Sequence, residues 1–307
     1  KYLGVVQGAV SPLGVLNDEN HVVEVVFDKD LIHAPKVGIH PNDNTATVWM
    51  SFNDLKKLIE KLTVDELPAS KRKYPYIGFD MEREVGKDVL SVSGISKTID
   101  GEKLLNNVSF TVGKDDKIAF IGESEIAITT LFKILMGEME PDEGEYKWGV
   151  TTSVSYFPKD NSEFFNGCTM SIVDWMRQYT KDETETYLRG FLGRMLFSGD
   201  DVYKPVDVLS GGEKVRCMFA RMMLYGSNVL VLDRPTNHLD LESITAVNNG
   251  LSAFKSNILF ASHDHEIIQT VANRIIEITA DGVIDREGDY EDYVEWRKTS
   301  GLGKLIL

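Results

Sequence analysis

Short apolar runs alternate with helical patterns along the last two thirds of the chain, and this alternation constrains the fold more than any other feature. The clearest run is Val229–Leu232, which ends at Asp233. Apolar runs of this length separated by helices are typical of a mostly parallel sheet in an α/β fold. We predict strands over Val89–Ile95, Val108–Val112, Lys117–Ile121, Val229–Asp233, Asn257–Ser262 and Arg274–Thr279, and helices over Thr129–Met136, within 172–196, and over Gly212–Leu224.

The first 66 residues have a different pattern. Two runs rich in β-branched residues predict strands over Val22–Phe27 and Thr45–Met50, and helical spacing predicts a helix over Phe52–Leu62 with Ser51 as its N-cap. Residues 67–79 contain two prolines, a serine and a basic triplet, a composition that is typical of a linker. We therefore predict a small α+β piece over 1–66, a linker over 67–79 and an α/β domain over 80–307.

Charge excludes one broad class of function. The 307 residues include 48 acidic and 33 basic side chains, for a formal net charge of −15. Nucleic-acid binding is driven by Lys and Arg side chains that displace counterions from phosphates, so an acidic chain does not bind RNA or DNA over its whole surface. Lys71, Arg72 and Lys73 form the dense basic cluster of the sequence and are the candidates for a local contact.

Cysteine content and hydropathy indicate the compartment. The two cysteines, Cys168 and Cys217, lie in no Cys-x-x-Cys motif, so we expect free thiols rather than a zinc site or a disulfide. No run of 18 apolar residues predicts a membrane-spanning helix, and residues 1–14 lack the features of a signal peptide. We expect a soluble, cytoplasmic protein with no membrane contact.

Three motifs in the second part are suited to handling phosphate. Ser210-Gly211-Gly212-Glu213 precedes a helix, where two glycines allow close backbone approach and the helix N-terminus favours an anion. Asp233 ends an apolar strand, a position at which a carboxylate can hold Mg²⁺ on a nucleotide. Asp240 follows shortly after, and His263 stands at the end of another strand.

In this order and spacing the motifs resemble those of the ATP-binding cassette family. Leu209–Glu213 is similar to the signature motif and Val229–Asp233 to the second nucleotide motif. Asp240 matches the dimer-facing aspartate, and His263 matches the switch histidine that senses the terminal phosphate. Pro235–Asp240 together with Gly288–Tyr293 is similar to the translation-associated branch called ABC-F, which has paired cassettes and no membrane domain. The resemblance covers residues 74–297 and is closest to a second, C-terminal cassette.

The resemblance implies an ABC-type nucleotide-binding domain: a mostly parallel core sheet, an antiparallel β subdomain and a helical subdomain, with ATP and Mg²⁺ as cofactors. In the family the signature of one cassette faces the phosphate loop of another. Nucleotide would therefore be held in a homodimer or with a separate partner chain. The segment that enters the second cassette in ABC-F members reaches tRNA on the ribosome, which makes the ribosome and tRNA implied partners of Lys71–Lys73.

The resemblance also assigns site residues. The phosphate loop corresponds to Gly122, Glu123, Ser124, Glu125, Ile126, Ala127, Ile128, Thr129 and Thr130. Further nucleotide contacts fall on Lys159, Ser210, Gly211, Gly212, Glu213, Asp233 and Asp240, and the Mg²⁺ ligands on Thr129 and Asp233.

Several of these positions depart from the family pattern. Ala127 and Ile128 stand where the general phosphate loop has glycine and lysine, which removes a charge-assisted contact worth about 1.5–3 kcal/mol. Arg234 stands where the family has the glutamate that polarises water, and a guanidinium cannot act as a base. Lys159 replaces a glutamine that contacts metal and water, and Ile99 replaces an aromatic that stacks on adenine. We predict a site that binds nucleotide weakly and turns it over slowly or not at all, with Arg234 and His263 as the residues nearest the chemistry.

The N-terminal piece resembles a different family. Gly8 and Pro12 match the G-x-x-x-P loop that shapes the amino-acid pocket of prolyl-tRNA deacylases, and residues 40–48 (HPNDNTATV) extend the match to the C-terminal half of that domain. The catalytic lysine of the family belongs to the earlier half, so we expect a binding module rather than a deacylase.

Three functions therefore remain open. The first is a nucleotide-gated or nucleotide-locked ABC-F-like cassette in translation. The second is an editing hydrolase that acts on aminoacyl-tRNA. The third is a non-catalytic protein, either a pseudoenzyme or a joined product of two gene fragments.

Overall fold

A computed structural model describes residues 36–39, 48–55, 74–237 and 239–301. The chain divides into two compact units, Lys1–Arg72 and Lys73–Leu307. The predicted strand Val22–Phe27, the basic triplet, Gly8, Pro12 and most of residues 40–48 lie outside the described residues.

Strands and helices of the described ranges are numbered here in chain order. The strands are β1 (Val37–Ile39), β2 (Val48–Met50), β3 (Asp88–Ile99), β4 (Glu102–Gly113), β5 (Lys117–Gly122), β6 (Glu143–Trp148), β7 (Val154–Phe157), β8 (Val229–Asp233), β9 (Asn257–Ala261), β10 (Arg274–Thr279) and β11 (Gly282–Glu287). The helices are α1 (Glu125–Leu135), α2 (Ile172–Arg177), α3 (Glu185–Arg194), α4 (Gly211–Tyr225), α5 (Leu241–Ala253), α6 (His265–Val271) and α7 (Tyr290–Thr299).

The first unit contains an antiparallel pair of short strands, β1 and β2, in which Val37 pairs with Met50 and Ile39 with Val48. Residues 52–55 are helical, and the backbone N–H of Asp54 donates to Ser51 Oγ at 3.1 Å. The predicted N-cap at Ser51 is therefore confirmed. The strand β1 was not predicted, because three residues are too few to produce a clear alternation pattern.

The second unit contains two sheets. A six-stranded sheet has the order β11-β10-β5-β9-β8-β7 and is parallel except for the antiparallel pairing of β11 with β10. A three-stranded antiparallel sheet has the order β4-β3-β6. The predicted α/β fold with a mostly parallel core sheet and an antiparallel β part is confirmed. Within the described ranges, no helix combines the length and apolar character needed to cross a bilayer.

The core lies on both faces of the six-stranded sheet. Leu230 and Leu232 pack into one apolar cluster, whereas Val229 and Val231 pack into the other. Because both faces are covered, the parallel strands carry no polar alternation, which is why short apolar runs predicted them. Phe120 on β5 links the two sheets through an edge contact with Phe110 on β4, at a ring-centroid distance of 5.5 Å. It also contacts Phe132 on α1, at 5.3 Å.

Residues 74–79, which we predicted as part of the linker, belong to the second unit and contribute to its core. Ile77 and Phe79 are buried, and the backbone N–H of Tyr76 donates to the carbonyl of Arg194 at 2.9 Å. Burial of two large apolar side chains fixes this stretch although its backbone has no regular secondary structure.

Candidate functional site

The parallel strands bring three loops of the site to one edge of the sheet. The order β5-β9-β8 makes these strands neighbours, and parallel strands end at the same edge. The residues that follow them are Glu125 after β5, Arg234 after β8 and His263 after β9. Side chains that are far apart in the sequence therefore meet at this edge.

The phosphate-loop segment is helical earlier than predicted. Helix α1 begins at Glu125 and not at Thr129, with Ser124 as its N-cap. The N–H of Ala127 donates to Ser124 Oγ at 3.2 Å, and the N–H of Ile128 donates to the carbonyl of Ser124 at 3.4 Å. Alanine favours a helix by about 1 kcal/mol over the glycine of the general pattern, which explains the earlier start. Amides expected to cradle phosphate are thus engaged in the helix.

The side chains along α1 separate into a core face and a solvent face. Ile128 is 3% exposed and packs in the apolar cluster with Ala127, while Ile126 is 62% exposed. Thr130 is buried and Thr129 is half-buried at the edge of the site. The residue in the lysine position is therefore part of the hydrophobic core.

The carboxylate of Asp233 is fully buried and already has two partners. Thr129 Oγ1 donates to Asp233 Oδ2 at 2.6 Å, and Arg234 Nη1 donates to Asp233 Oδ1 at 2.8 Å. Burial raises the pKa of Asp233, while the hydrogen bond from Thr129 and the charge of Arg234 oppose that rise.

This arrangement does not fit Mg²⁺ on the predicted ligands. Thr129 and Asp233 supply oxygens, the donor type that Mg²⁺ prefers, but they are bonded to each other. The guanidinium of Arg234 occupies the second carboxylate oxygen and repels a divalent cation. Among the residues that the structure describes, no group of three or more His, Cys, Asp or Glu side chains could hold a metal ion.

Arg234 is held in an unusual backbone conformation. Its φ is +50°, in the left-handed region, which costs a non-glycine residue about 1–2 kcal/mol. Its side chain is 4% exposed, and Nε donates to His263 Nε2 at 3.0 Å. A strained backbone at a buried charge persists only where the surrounding contacts determine it.

The carboxylate of Glu125 meets three nitrogen-bearing side chains, which we call the nitrogen trio: Lys159, Arg234 and His263. Lys159 Nζ donates to Glu125 Oε2 at 2.7 Å, and Arg234 Nη2 lies 3.6 Å from the same oxygen. His263 Nε2 lies 2.9 Å from Glu125 Oε1. The hydrogen bond from Lys159 holds the pKa of Glu125 below its usual value.

The two contacts of His263 Nε2 exclude each other. This nitrogen accepts from Arg234 only when it carries a lone pair, and it donates to Glu125 only when it carries a proton. Lys159 is therefore the partner that holds Glu125 in either state.

A cavity of about 130 Å³ lies at this edge of the sheet. It is lined by Phe120, Ile121, Gly122, Glu123, Glu125, Ile128, Arg234, Ala261, Ser262 and His263. Ligand pockets commonly measure about 300–1,000 Å³, so this cavity is too small for a whole nucleotide. At about 30 Å³ per water molecule, it has room for roughly four waters. A second cavity, of about 410 Å³, has Thr129 and Lys159 in its wall.

The signature residues have a structural use in this chain. Ser210 Oγ accepts from the N–H of Glu213, and Glu213 Oε2 accepts from the N–H of Ser210, so the two residues form a capping box on α4. Gly211 and Gly212 begin that helix. Asp240 caps α5 by accepting from the N–H of Ser243 at 2.8 Å.

The structure thus brings together only part of the site assigned from the sequence. Gly122, Glu123, Glu125, Ile128, Lys159, Asp233, Arg234 and His263 line the small cavity or contact a residue that does. Ser210–Glu213 and Asp240 are not in the lining of that cavity among the described residues. The contact between Glu125 and Lys159 could not be predicted from the sequence, because no local motif links residues that approach only after the sheet forms.

Comparison with family models divides the chain in two. Residues 105–237 match the model described as ABC transporter, and residues 1–58 match the model described as aminoacyl-tRNA editing domain.

Relatives match most of the chain. The ABC transporter ATP-binding protein YkpA of Bacillus subtilis (strain 168) is 61% identical over 241 residues, which cover 78% of this chain and 45% of YkpA. The ABC transporter F family member 2 of Arabidopsis thaliana is 29% identical over 90% of this chain and 40% of its own. The energy-dependent translational throttle protein EttA of Haemophilus influenzae (strain ATCC 51907 / DSM 11121 / KW20 / Rd) is 32% identical over 70% of this chain and 39% of its own. The chain spans less than half the length of these relatives.

Solved structures support the fold. The ATP-binding cassette MJ0796, solved as a dimer in a post-hydrolysis state with ADP and Pi, superposes with a TM-score of 0.55 at 16% identity. The match covers 64% of this chain and 98% of the solved one. The chain therefore contains a domain that matches the ABC transporter model and has the ATP-binding cassette fold, has homologues in the ABC-F family, and carries at residues 1–58 a match to the aminoacyl-tRNA editing domain.

Proposed function

We propose that this chain is a cytoplasmic, translation-associated ATP-binding cassette protein whose own site binds ATP weakly and hydrolyses it slowly or not at all. The observation that carries the proposal is the position of Arg234. Its guanidinium pairs with Asp233 and reaches His263, in the place where the family has a general base. A guanidinium keeps its proton at any working pH and cannot activate water.

The phosphate-binding side of the site supports the same conclusion. Ile128 offers no hydrogen-bond donor and is buried in the core, while amides at the start of α1 are engaged in the helix. Glu125 adds a negative charge at the point where an anion would enter. Both the rate of ATP hydrolysis and the affinity for ATP are therefore expected to be low.

The test is ATP hydrolysis by the unmodified protein and by a reverted variant. Ile128 packs in the apolar core and also lines the cavity that contains Glu125, so restoring lysine alone would place its ammonium beside this carboxylate. We therefore combine Glu125→Gly, Ile128→Lys and Arg234→Glu, and use Ile128→Leu with Glu123→Gly as the matched control. We expect turnover in the triple variant only, and an ordinary rate in the unmodified protein would refute the proposal.

A second cassette, in another copy or another chain, is the proposed partner. Three large apolar side chains are exposed beside the motifs that face the partner in the family: Ile126 at 62%, Val208 at 68% and Leu241 at 76%. Light scattering after size-exclusion chromatography, with and without ATP, tests this pairing. A monomer at every concentration and nucleotide condition argues against a homodimer, and then a separate chain is required.

The relatives support a role in translation, since EttA is described as a translational throttle protein. We propose that Lys71, Arg72 and Lys73 contact tRNA or the ribosome. Co-sedimentation with ribosomes across a salt series is expected to weaken when the triplet is neutralised. An unchanged profile would remove the triplet from the interface.

The editing-domain match favours a second candidate function at the N-terminus, recognition of an aminoacyl-tRNA through the loop of Gly8 and Pro12. A deacylation assay on mischarged tRNA separates binding from hydrolysis. We expect binding without release of the amino acid.

A further inference from the structure

The site contains its own anion. The nitrogen trio converges on one carboxylate, with Glu125 oxygens 2.7 Å from Lys159 Nζ, 2.9 Å from His263 Nε2 and 3.6 Å from Arg234 Nη2. A carboxylate and a phosphate group present oxygens of similar geometry to such donors. Glu125 therefore occupies the position at which these side chains would bind a phosphate oxygen.

The local charges favour exchange of one anion for another. Arg234 pairs with two carboxylates, the buried one of Asp233 and that of Glu125. With Glu125 moved away, the Lys159 ammonium loses its carboxylate partner and Arg234 keeps only Asp233. These donors are then available to an incoming anion, although the site has no lysine at Ile128.

Glu125 is free to leave its position. Its side chain is 44% exposed, and it lies in the first turn of α1 rather than in the core. Lys159 and His263 are also partly exposed, at 39% and 48%. Only Arg234 is fixed, with 4% exposure. A rotation of one surface side chain therefore opens the contact without unfolding the helix.

We propose that Glu125 is a built-in plug that fills a phosphate subsite formed by Lys159, Arg234 and His263, and that a nucleotide phosphate binds by displacing it. This inference rests on the proposed function, because it assumes that nucleotide is the ligand of this site. The cavity of about 130 Å³, with Glu125, Arg234 and His263 in its wall, is too small for a whole nucleotide, so most of the nucleotide would lie outside it.

The experiment compares two neighbouring glutamates. Glu125→Gln removes the plug's charge, whereas Glu123→Gln removes a charge from the same loop at an exposed position that also lines the cavity. Affinities for ATP and for AMP are measured by equilibrium dialysis for both variants and the unmodified protein. Far-UV circular dichroism and thermal unfolding verify that each variant is folded.

We expect Glu125→Gln to bind ATP about tenfold or more tightly than the unmodified protein, since a charge-assisted contact no longer has to be broken. Glu123→Gln is expected to gain less than about threefold, because screening weakens an exposed charge. AMP, which lacks the outer phosphates, is expected to gain little in either variant. In the Glu125→Gln background, Lys159→Ala should abolish the gain, while Lys133→Ala, in the wall of the neighbouring cavity, should not.

Equal gains for the two glutamate variants, equal gains for ATP and AMP, a gain that survives Lys159→Ala, or no ATP binding by any variant would each overturn the inference. A different result, rapid ATP hydrolysis by the unmodified protein, would contradict the proposed function. The two results are independent, because one is a ratio of affinities and the other is a rate.

Discussion

The buried pair of Asp233 and Arg234 predicts a large and specific loss of stability for Arg234→Met. Asp233 is 0% exposed and Arg234 is 4% exposed, with 2.8 Å between Oδ1 and Nη1. Removing one partner of a buried ion pair costs about 3–5 kcal/mol, because the other charge is left without compensation. We expect that loss in the free energy of unfolding at pH 8, measured by urea denaturation followed by circular dichroism.

A further variant isolates the electrostatic contribution. The double variant Asp233→Asn with Arg234→Met removes both charges and should regain most of the loss. A double variant no more stable than Arg234→Met would refute the electrostatic explanation.

The pH dependence has a defined sign. Burial raises the pKa of Asp233, and the charge of Arg234 opposes this rise, so Arg234→Met raises the pKa further. A carboxyl group whose pKa is higher in the folded state contributes stability that is present at low pH and lost as the pH rises through the folded pKa. The deficit of Arg234→Met should therefore be smaller at pH 5.5 than at pH 8. A larger deficit at pH 5.5 than at pH 8 would refute the reasoning, and so would a loss of unfolding free energy below about 1 kcal/mol at pH 8.

Three other measurements test separate features. Gly144→Ala places a Cβ 2.3 Å from the backbone of Gly94 at a φ of +84°, whereas Gly101→Ala meets no atom within 4 Å at a φ of +83°. Gly144→Ala should therefore lower the free energy of unfolding in urea by about 1–3 kcal/mol more than Gly101→Ala. Equal losses would contradict the contact. Cys217 is buried, and burial raises the pKa of its thiol. Iodoacetamide should therefore modify the half-buried Cys168 first, as measured by mass spectrometry of the folded protein. The reverse order would contradict the packing. ATP affinity should change less than about twofold when EDTA replaces magnesium, because a guanidinium fills the metal position; strong Mg²⁺ dependence would contradict that arrangement.

The parallel core could be predicted from the sequence because burial on both faces produces apolar runs. Val229–Asp233 and Arg274–Thr279 have the predicted bounds, and the helix predicted over Gly212–Leu224 extends by one residue at each end. The start of α1 was wrong, because the resemblance supplied a loop where Ser124 caps a helix. Here local propensity decided the structure.

The connections within the site could not be predicted. Glu123 and Glu125 are equivalent in the sequence as two charges near a phosphate loop, but of these two only Glu125 contacts the nitrogen trio. That difference depends on the direction of side chains at the start of α1 and on the order of β5, β9 and β8. Sequence patterns identify residues of the right chemistry, whereas the fold decides which of them meet.

The pairing of Arg234 with Asp233 also bears on the order in which substitutions could restore an active site. Arg234→Glu alone would set a second carboxylate beside Asp233 and within reach of Glu125, so like charges would repel where opposite charges now attract. Ile128→Lys alone would bring an ammonium out of the core toward Glu125, and the new pair would hold the carboxylate more firmly in place. Each single substitution is therefore expected to introduce an unfavourable contact in the site until the others are present.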